Sequence, residues 1–200
     1  FTNFAIPTWT LAKQAYLGAA LLPAGAVVHP GDEVTYRVTA VNTSGVEVSG
    51  ASLTDDLSQV LDDAAFVAGS AQLVIGAGAP LALPDPVGAQ LTTGPFALPA
   101  STTAQLTYRV VVAADAWSRS LTNTVTGAGG KPGQPEPPQP CPTACTTTQV
   151  TPTPVQLQKV GEASNGEVVP MDGSEWAIWD AATGGTALVD PVPAATSGGI

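Results

Sequence analysis

Residues 30–57, PGDEVTYRVTAVNTSGVEVSGASLTDDL, decide the fold. Apolar and polar side chains alternate from Val34 to Ala40, which is the period of two that is typical of a half-buried strand. Turn-forming residues flank this strand, at 30–32 before it and at 42–45 after it. A second alternating run follows and Gly50 breaks it, after which the next strand begins. The stretch therefore predicts consecutive β-strands joined by short turns.

A carboxylate lies on the inward face of that next strand. Leu53, Asp55 and Leu57 are two residues apart, so they share one face. Burying a charge without a partner is costly. We therefore expect Asp55 to have either a partner or a chemical role.

The composition favours an all-β protein with few charged residues. The chain has 200 residues, enough for one large or two small domains, and its 21 glycines and 19 prolines favour short strands and many turns. A net charge of −10 argues against nucleic acid and anionic membranes as partners. No signal peptide is recognisable, so we expect a mature product or an excised piece. The longest apolar run, Ala15 to Val28, is too short and too broken to insert into a membrane.

The first domain, residues 1–151, is expected to be a β-sandwich. Residues 58–66 resemble a helical turn, and residues 76–88 a glycine- and proline-rich loop. Besides the two strands above, the alternation predicts strands at Trp9–Leu17, Ala71–Ile75, Ala89–Thr92, Gly94–Leu98, Gln105–Val112 and Ser120–Thr126. Thr146–Val150 is either a linker or the end of the preceding strand.

Residues 127–145 form a proline- and glycine-rich loop that cannot build a core. It contains both cysteines, Cys141 and Cys145. In a secreted protein this spacing favours a small local disulfide. A zinc site would need more ligands, and the one histidine, His29, is far away in sequence.

The second domain, residues 152–200, is expected to be an incomplete β domain. Strands are predicted around Lys159, at Ser174–Asp180 and at Gly184–Val189. About fifty residues with three strands are too few for an independent core.

Two of the three lysines, Lys13 and Lys159, lie in phase with apolar residues on the first strand of a domain. Buried lysine is rare unless it is paired. Asn123 is likewise in phase with its apolar neighbours on the strand at 120–126. Lys13, Asp55 and Asn123 are the candidate reactive residues of the first domain.

Together these residues allow an intramolecular isopeptide bond to form. Desolvation lowers the pKa of a lysine and raises that of an aspartic acid. A neutral Lys13 amine can then attack the Asn123 amide, polarised by protonated Asp55, and expel ammonia. The alternative is structural: Lys13 extends its ammonium to the surface, Asp55 pairs with it, and Asn123 caps a turn.

Other chemistry has little support in the sequence. No Ser–His–Asp set, phosphate-binding glycine loop or metal-ligand cluster is present, so we expect no enzyme, cofactor or metal site. The aspartate pairs at 55–56 and 62–63 lack the spacing of a calcium loop. The tryptophans favour packing over sugar binding; they are Trp9, Trp117, Trp176 and Trp179.

The motif PGDEVTYRVTAVNTSG at 30–45, followed by LTDDL at 53–57, resembles the DUF11 family of bacterial surface-protein repeats. These repeats are similar to the CnaA-type, immunoglobulin-like domains of Gram-positive pilins and adhesins. The resemblance spans roughly residues 9–126. It implies an immunoglobulin-like β-sandwich.

The same resemblance implies roles for the three candidate residues. In cross-linking members a first-strand lysine joins a last-strand asparagine with the help of an aspartate, which corresponds here to Lys13, Asn123 and Asp55 as the proton shuttle. Asp56 makes the register ambiguous, and the phase with Leu53 and Leu57 favours Asp55.

Residues 155–180, VQLQKVGEASNGEVVPMDGSEWAIWD, resemble the start of a SpaA/CnaB-type prealbumin-like domain. Lys159 occupies the place of the cross-linking lysine, so its partner is expected outside this chain. Glu175 is out of phase with Ile178 and is not assigned as the acid.

The expected function is structural, as a stalk or pilin-like segment of a secreted adhesin at the cell wall or cell surface. The full-length protein would bind a host glycan or an extracellular-matrix protein, and this segment would contact neighbouring domains of its own chain. Two alternatives stay open. One is a glycan- or matrix-binding module that uses the loop at 76–88 or exposed tryptophans, and the other is an accessory domain of a secreted glycosidase.

Overall fold

A computed structural model describes residues 6–130, 145–154, 160–162, 166, 168–170, 175–179 and 187–193. The chain divides into two compact units, Phe1–Thr153 and Pro154–Ile200. The described ranges contain strands and turns and no α-helix. Accordingly, no helix in them has the length and apolar character needed to cross a membrane.

The first unit is built from strands that range from two to eleven residues in length. Its described strands are β1 (Trp9–Leu17), β2 (Ala20–Leu22), β3 (Ala26–Val27), β4 (Glu33–Asn42), β5 (Val48–Asp56), β6 (Ala64–Phe66), β7 (Gln72–Ile75), β8 (Leu81–Ala82), β9 (Gln90–Thr92), β10 (Phe96–Leu98), β11 (Thr103–Val112), β12 (Ser120–Gly130) and β13 (Thr146–Val150).

These strands form two sheets. The first sheet has the order β2-β1-β4-β11-β7-β8, and β6 also pairs with β11. The second has the order β10-β5-β12-β13-β3, and β9 also pairs with β5. Neighbouring strands are antiparallel except for β13 and β3, which run parallel. Buried apolar residues from both sheets form one core, so the unit is an immunoglobulin-like β-sandwich, and the all-β, immunoglobulin-like fold predicted for the first domain is confirmed.

The apolar residues that alternate in the sequence are the buried residues of the strands. In β4 the even-numbered residues from Val34 to Asn42 are buried, and the odd-numbered residues between them are partly exposed. In β1 the buried face includes Leu11, Lys13 and Ala15. Because every second side chain points inward, the apolar pattern alone sets which polar residues enter the core.

Two local expectations differ from the structure. Gly50 does not break the strand, because β5 continues through it with Gly50 at φ 63° and a shift in its register with β10. The helical turn predicted at 58–66 is present only in its first part: residues 58–63 form hydrogen-bonded turns, one of them from Leu61 N–H to the Leu57 carbonyl at 2.8 Å, whereas 64–66 pair with β11. The difference at Gly50 arises because a glycine at positive φ can bend a strand without ending its pairing.

The predicted loop at 127–145 begins later than expected. Residues 127–130 continue β12, because they pair with β5, with Gly127 opposite Leu53 and Gly130 opposite Ser49. Glycine-rich sequence does not favour a strand by itself, so this extension comes from the neighbouring strand.

Residues 146–150 are neither a linker nor the end of the preceding strand. They form β13, a separate strand antiparallel to β12, in which Asn123 lies opposite Thr147. Asn123 is therefore on the next-to-last described strand of the unit.

The second unit contains two described hairpin-like pairs. β14 (Val160–Glu162) pairs with β15 (Val168–Pro170), and β16 (Glu175–Trp179) pairs with β17 (Ala187–Pro193), both antiparallel. Lys159 and its predicted strand lie outside the described residues.

Gly127 leaves the space in which the Trp9 indole packs across the sandwich. A Cβ at Gly127 would lie 2.5 Å from Trp9 Cη2 and 2.7 Å from Leu11 Cδ1, and both of those side chains are buried. We expect Gly127→Ala to lower the free energy of unfolding by about 1–3 kcal/mol through overpacking. Gly45→Ala is the control, because a Cβ there meets nothing within 4 Å. Urea unfolding of both variants checks this, and equal midpoints would contradict it.

Candidate functional site

The three predicted reactive residues come together between the two sheets. Lys13 enters the core from β1 of the first sheet, whereas Asp55 and Asn123 enter from β5 and β12 of the second. Asp55 lies opposite Val125 in the β5–β12 ladder, two residues from Asn123 on the same face. Asp55 and Asn123 are 0% exposed and Lys13 is 5% exposed, so none of them is solvated as a charged or amide group normally would be.

A hydrogen-bond network connects the three side chains. Lys13 Nζ donates to Asp55 Oδ2, forming an ion pair that bridges the sheets. It also donates to the Tyr108 hydroxyl at 3.0 Å. The Tyr108 hydroxyl donates to Asp55 Oδ2 at 2.7 Å, and Asn123 Nδ2 donates to the Tyr108 hydroxyl at 2.7 Å. Tyr108 is thus hydrogen-bonded to all three predicted residues.

Two tyrosine rings surround the Lys13 amine. Lys13 Nζ lies 5.2 Å from the centroid of the Tyr36 ring and 5.4 Å from that of Tyr108. The two rings face each other on β4 and β11, with centroids 5.4 Å apart. Aromatic faces attract a cation while excluding water. The ammonium group therefore lies in an aromatic pocket with one carboxylate.

The period of two places Tyr108 on the apolar face of its strand, with Leu106 and Val110, and by itself gives Tyr108 no part in the site. A signal was present in the sequence: the tetrapeptide TYRV occurs at 35–38 and again at 107–110. In each copy the tyrosine is in phase with buried valines, and Tyr36 lies directly opposite Tyr108 in the ladder. The repeat therefore marked two strands that are adjacent in one sheet.

Burial shifts the acid–base properties of the site toward neutral groups. Desolvation lowers the pKa of Lys13 to about 8, although the Asp55 carboxylate opposes this shift. Desolvation also raises the pKa of Asp55, opposed by Lys13 and Tyr108. A proton therefore passes from the ammonium to the carboxylate more readily here than in water. Such a transfer leaves a nucleophilic amine beside a carboxylic acid.

Two oxygens in the site have no hydrogen-bond partner. Asp55 Oδ1 and Asn123 Oδ1 are both buried and unpaired. An unsatisfied buried acceptor costs about 1–3 kcal/mol. Asn123 Oδ1 has no hydrogen-bond donor in this pocket, and a proton on Asp55 would supply one. Protonated Asp55 is also the form that polarises an amide carbonyl for attack.

Asp56 lies on the opposite face of β5 from Asp55. Its side chain is exposed, and hydrogen bonding with Ser58 lowers its pKa. Asp55 is fully buried, as its phase with Leu53 and Leu57 predicts. Of the two neighbouring aspartates, only Asp55 contacts Lys13.

A second polar group lies beside the site on β13. The Tyr36 hydroxyl donates to Gln149 Oε1 at 3.3 Å. Burial raises the pKa of Tyr36, and so does the charge of Asp55, whereas Asn123 opposes the shift. Tyr36 therefore lies near the asparagine but has no hydrogen bond to Asp55 or Lys13 among those of the described residues.

The other predicted site residues that lie in the described ranges are not part of this hydrogen-bond network. Cys145 is buried just before β13, and Cys141 lies outside the described residues, so the disulfide stays a prediction. Trp9 is a core residue, whereas Trp117 is 43% exposed. Within the described ranges, no group of three or more His, Cys, Asp or Glu side chains could hold a metal ion.

The sequence matches a family described as "Domain of unknown function (DUF7927)" over residues 22–150, which is more than half of the chain. The chain belongs to the DUF7927 family. Asp55, Tyr108 and Asn123 lie inside the region that defines this DUF7927 domain, and Lys13 precedes it. The resemblance to DUF11 concerns a differently named family and stays a prediction. Among curated proteins, none matches the DUF7927 chain.

Several solved structures resemble the DUF7927 chain at low identity. The collagen-binding domain of Erysipelothrix rhusiopathiae surface protein RspB is 17% identical, with a TM-score of 0.45, over 70% of this chain and 45% of that one. The pilus backbone RrgB from Streptococcus pneumoniae is 15% identical, with a TM-score of 0.44, over 60% and 31%. BcpA (D312A), the major pilin subunit of Bacillus cereus, is 14% identical, with a TM-score of 0.43, over 86% and 47%. The DUF7927 chain spans less than half the length of each.

Proposed function

We propose that this DUF7927 domain is a structural segment of a secreted surface protein, a stalk or pilin-like module locked by an isopeptide bond between Lys13 and Asn123. The observation that carries the proposal is the convergence of Lys13, Asp55 and Asn123 in one buried, aromatic-walled pocket between the sheets. Buried charges of this kind are costly unless they are paired or react. Formation of the bond removes the lysine charge from the core.

The bond forms in one turnover and needs no cofactor. The Lys13 ammonium gives a proton to Asp55, and the neutral amine then attacks Asn123 Cγ while the carbonyl electrons move to Oδ1. The acid of Asp55 stabilises the developing oxyanion. Nδ2 takes up a proton, the Lys13 nitrogen gives its second proton to Asp55, and the Cγ–Nδ2 bond breaks. Ammonia leaves, and Lys13 Nζ remains bonded to Asn123 Cγ as an amide. The chain modifies itself once and is not an enzyme.

A bond at this place would join the two sheets and resist tension. It would connect β1 with β12 and close a loop of about 110 residues. By analogy with a disulfide that closes a loop of similar length, it contributes about 4–5 kcal/mol. Force applied through the chain ends would pass through the amide, so that the residues between Lys13 and Asn123 stay folded. Resistance to force and proteolysis is what a stalk requires.

Single-molecule pulling from the two chain ends tests this function. In the wild type, the segment between Lys13 and Asn123 is expected to contribute nothing to the extension. In Asn123→Ala the same segment is expected to add about 380 Å of contour length. Equal extensions for the two proteins would contradict a tension-resisting role.

A ligand-binding module is the second candidate, favoured by one surface feature. A groove of about 320 Å³ is lined by Pro84, Asp85, Val87, Gln90 and Thr92, and the Val87 side chain is 85% exposed. Pro84, Asp85 and Val87 belong to the segment 76–88, which contains β8 and which one of the two alternatives from the sequence assigned to binding. Binding of a glycan or of collagen by the purified chain would favour this function. Absence of binding to glycans and to collagen would favour the structural function as a stalk.

A further inference from the structure

The Tyr108 hydroxyl lies at the centre of the site. Tyr108 comes from the middle of β11, and its side chain is fully buried. Among the described residues, it is the one side chain with hydrogen bonds to Lys13, Asp55 and Asn123 together. Lys13 Nζ and Asn123 Nδ2 are the attacking and the leaving nitrogen of the proposed reaction.

We propose that the Tyr108 hydroxyl is a catalytic proton relay, which carries a proton from Asp55 to the leaving nitrogen of Asn123. This inference rests on the proposed Lys13–Asn123 bond and adds a fourth residue to its chemistry. The hydrogen bonds provide a path for such a relay. Asp55 makes its side-chain hydrogen bonds to Lys13 and Tyr108, whereas the Asn123 amide donates to Tyr108. Tyr108 therefore stands between the acid and the leaving group.

Each proton in the reaction has a donor and an acceptor. Before attack, Lys13 passes one proton to Asp55 and becomes a neutral amine. After attack, the Lys13 nitrogen is bonded to Cγ and carries a positive charge. Asp55 then gives its proton to the Tyr108 oxygen while the Tyr108 hydroxyl proton moves to Nδ2. The Asp55 carboxylate that results takes the second proton from the Lys13 nitrogen. The Cγ–Nδ2 bond then breaks, and the products are the amide, ammonia and protonated Asp55.

For this relay, Asn123 Nδ2 must change from donating a hydrogen bond to the Tyr108 hydroxyl to accepting one from it. Formation of the tetrahedral intermediate causes this change. In the amide, the nitrogen lone pair is delocalised into the carbonyl, so Nδ2 donates to Tyr108. In the tetrahedral intermediate Nδ2 is an amine with a free lone pair, which accepts a proton. The separation of 2.7 Å is within the range for direct proton transfer. Burial and the Asp55 charge raise the pKa of Tyr108 well above its usual value, so the hydroxyl keeps its proton.

Tyr36 provides a matched control. Its ring is equally buried and faces Tyr108 with centroids 5.4 Å apart. Its hydroxyl donates to Gln149, and among the described residues it has no hydrogen bond to Asp55, which supplies the shuttled proton. Tyr36→Phe and Tyr108→Phe each remove one hydroxyl from the same aromatic pocket.

The test follows ammonia loss by intact mass after cell-free synthesis, with samples quenched in denaturant at intervals. Tyr108→Phe is expected to slow the reaction about 100-fold or more, the usual contribution of a positioned acid–base group. Tyr36→Phe is expected to react at nearly the wild-type rate. Rates for the two variants within about threefold of each other would overturn the relay. A wild type that never loses ammonia would instead overturn the proposed bond itself.

A second replacement keeps the test valid if Tyr108→Phe fails to fold, which near-ultraviolet circular dichroism would show. A fluorinated tyrosine at position 108 keeps the ring and the hydroxyl but makes the hydroxyl more acidic. The reaction rate at neutral pH is then expected to change, because the efficiency of a proton-transferring group depends on its acidity. The same replacement at Tyr36 is expected to leave the rate unchanged. An unchanged rate for the Tyr108 replacement would contradict the relay.

Discussion

Asp55→Ala is expected to abolish the cross-link and to lower the free energy of unfolding by about 3–5 kcal/mol beyond the loss of the covalent bond. Without the carboxylate, Lys13 loses the group that accepts its proton and remains buried among aromatic rings with no counter-charge. The Tyr108 hydroxyl also loses its acceptor. Intact mass measures the first effect, and urea unfolding measures the second relative to Asn123→Ala.

Asp56→Ala is the matched control for this variant. Asp56 is the neighbouring carboxylate on the same strand, but its side chain is exposed and contacts the turn at Ser58. We expect Asp56→Ala to keep the cross-link and to change the free energy of unfolding by no more than about 0.5 kcal/mol. Loss of the cross-link in Asp56→Ala and its retention in Asp55→Ala would assign the acid to Asp56.

The second large effect is expected from Asn123→Ala, which removes the bond but keeps the Lys13–Asp55 ion pair. The variant should lose the roughly 4–5 kcal/mol that a covalent closure of this length contributes. For a chain of this size, each kcal/mol corresponds to a shift of about 2–4 °C in the unfolding temperature. We therefore expect calorimetry to show a midpoint about 8–20 °C below that of the wild type.

Thr124→Ala is the control for Asn123→Ala. Thr124 is the next residue of β12, and it is exposed, with its hydroxyl 2.9 Å from that of Thr146 across the strand pair. Its replacement should leave the midpoint within a few degrees of the wild type. A midpoint for Asn123→Ala that matches the one for Thr124→Ala would mean that no covalent closure was lost.

The inward faces of the long strands could be predicted because they depend only on local sequence. A period of two assigns every residue of a half-buried strand to one face, and it placed Lys13, Asp55 and Asn123 inside before any contact was known. Their meeting could not be derived from alternation. It depends on β1 joining one sheet while β5 and β12 join the other, which is a matter of strand order. The resemblance to cross-linking domains supplied that step.

The roles of Tyr108 and β13 were missed for a related reason. Tyr108 has the phase of a core residue, and its ring does pack in the core. Its hydroxyl belongs to the site only because Asp55 and Asn123 reach it from the opposite sheet. β13 returns to pair with β12 after a long proline-rich segment, so no local signal indicates its partner. Pairing between distant segments is set by the whole sandwich and not by the propensity of either segment.

The most direct measurement for the central claim is the intact mass of the purified chain after its cysteines are reduced and alkylated. A Lys13–Asn123 bond predicts a mass lower than that of the alkylated sequence by one ammonia. Lys13→Ala and Asn123→Ala should each show the full mass for their sequence. A wild-type mass equal to that of the alkylated sequence would contradict the cross-link and leave Lys13 and Asp55 as a buried ion pair.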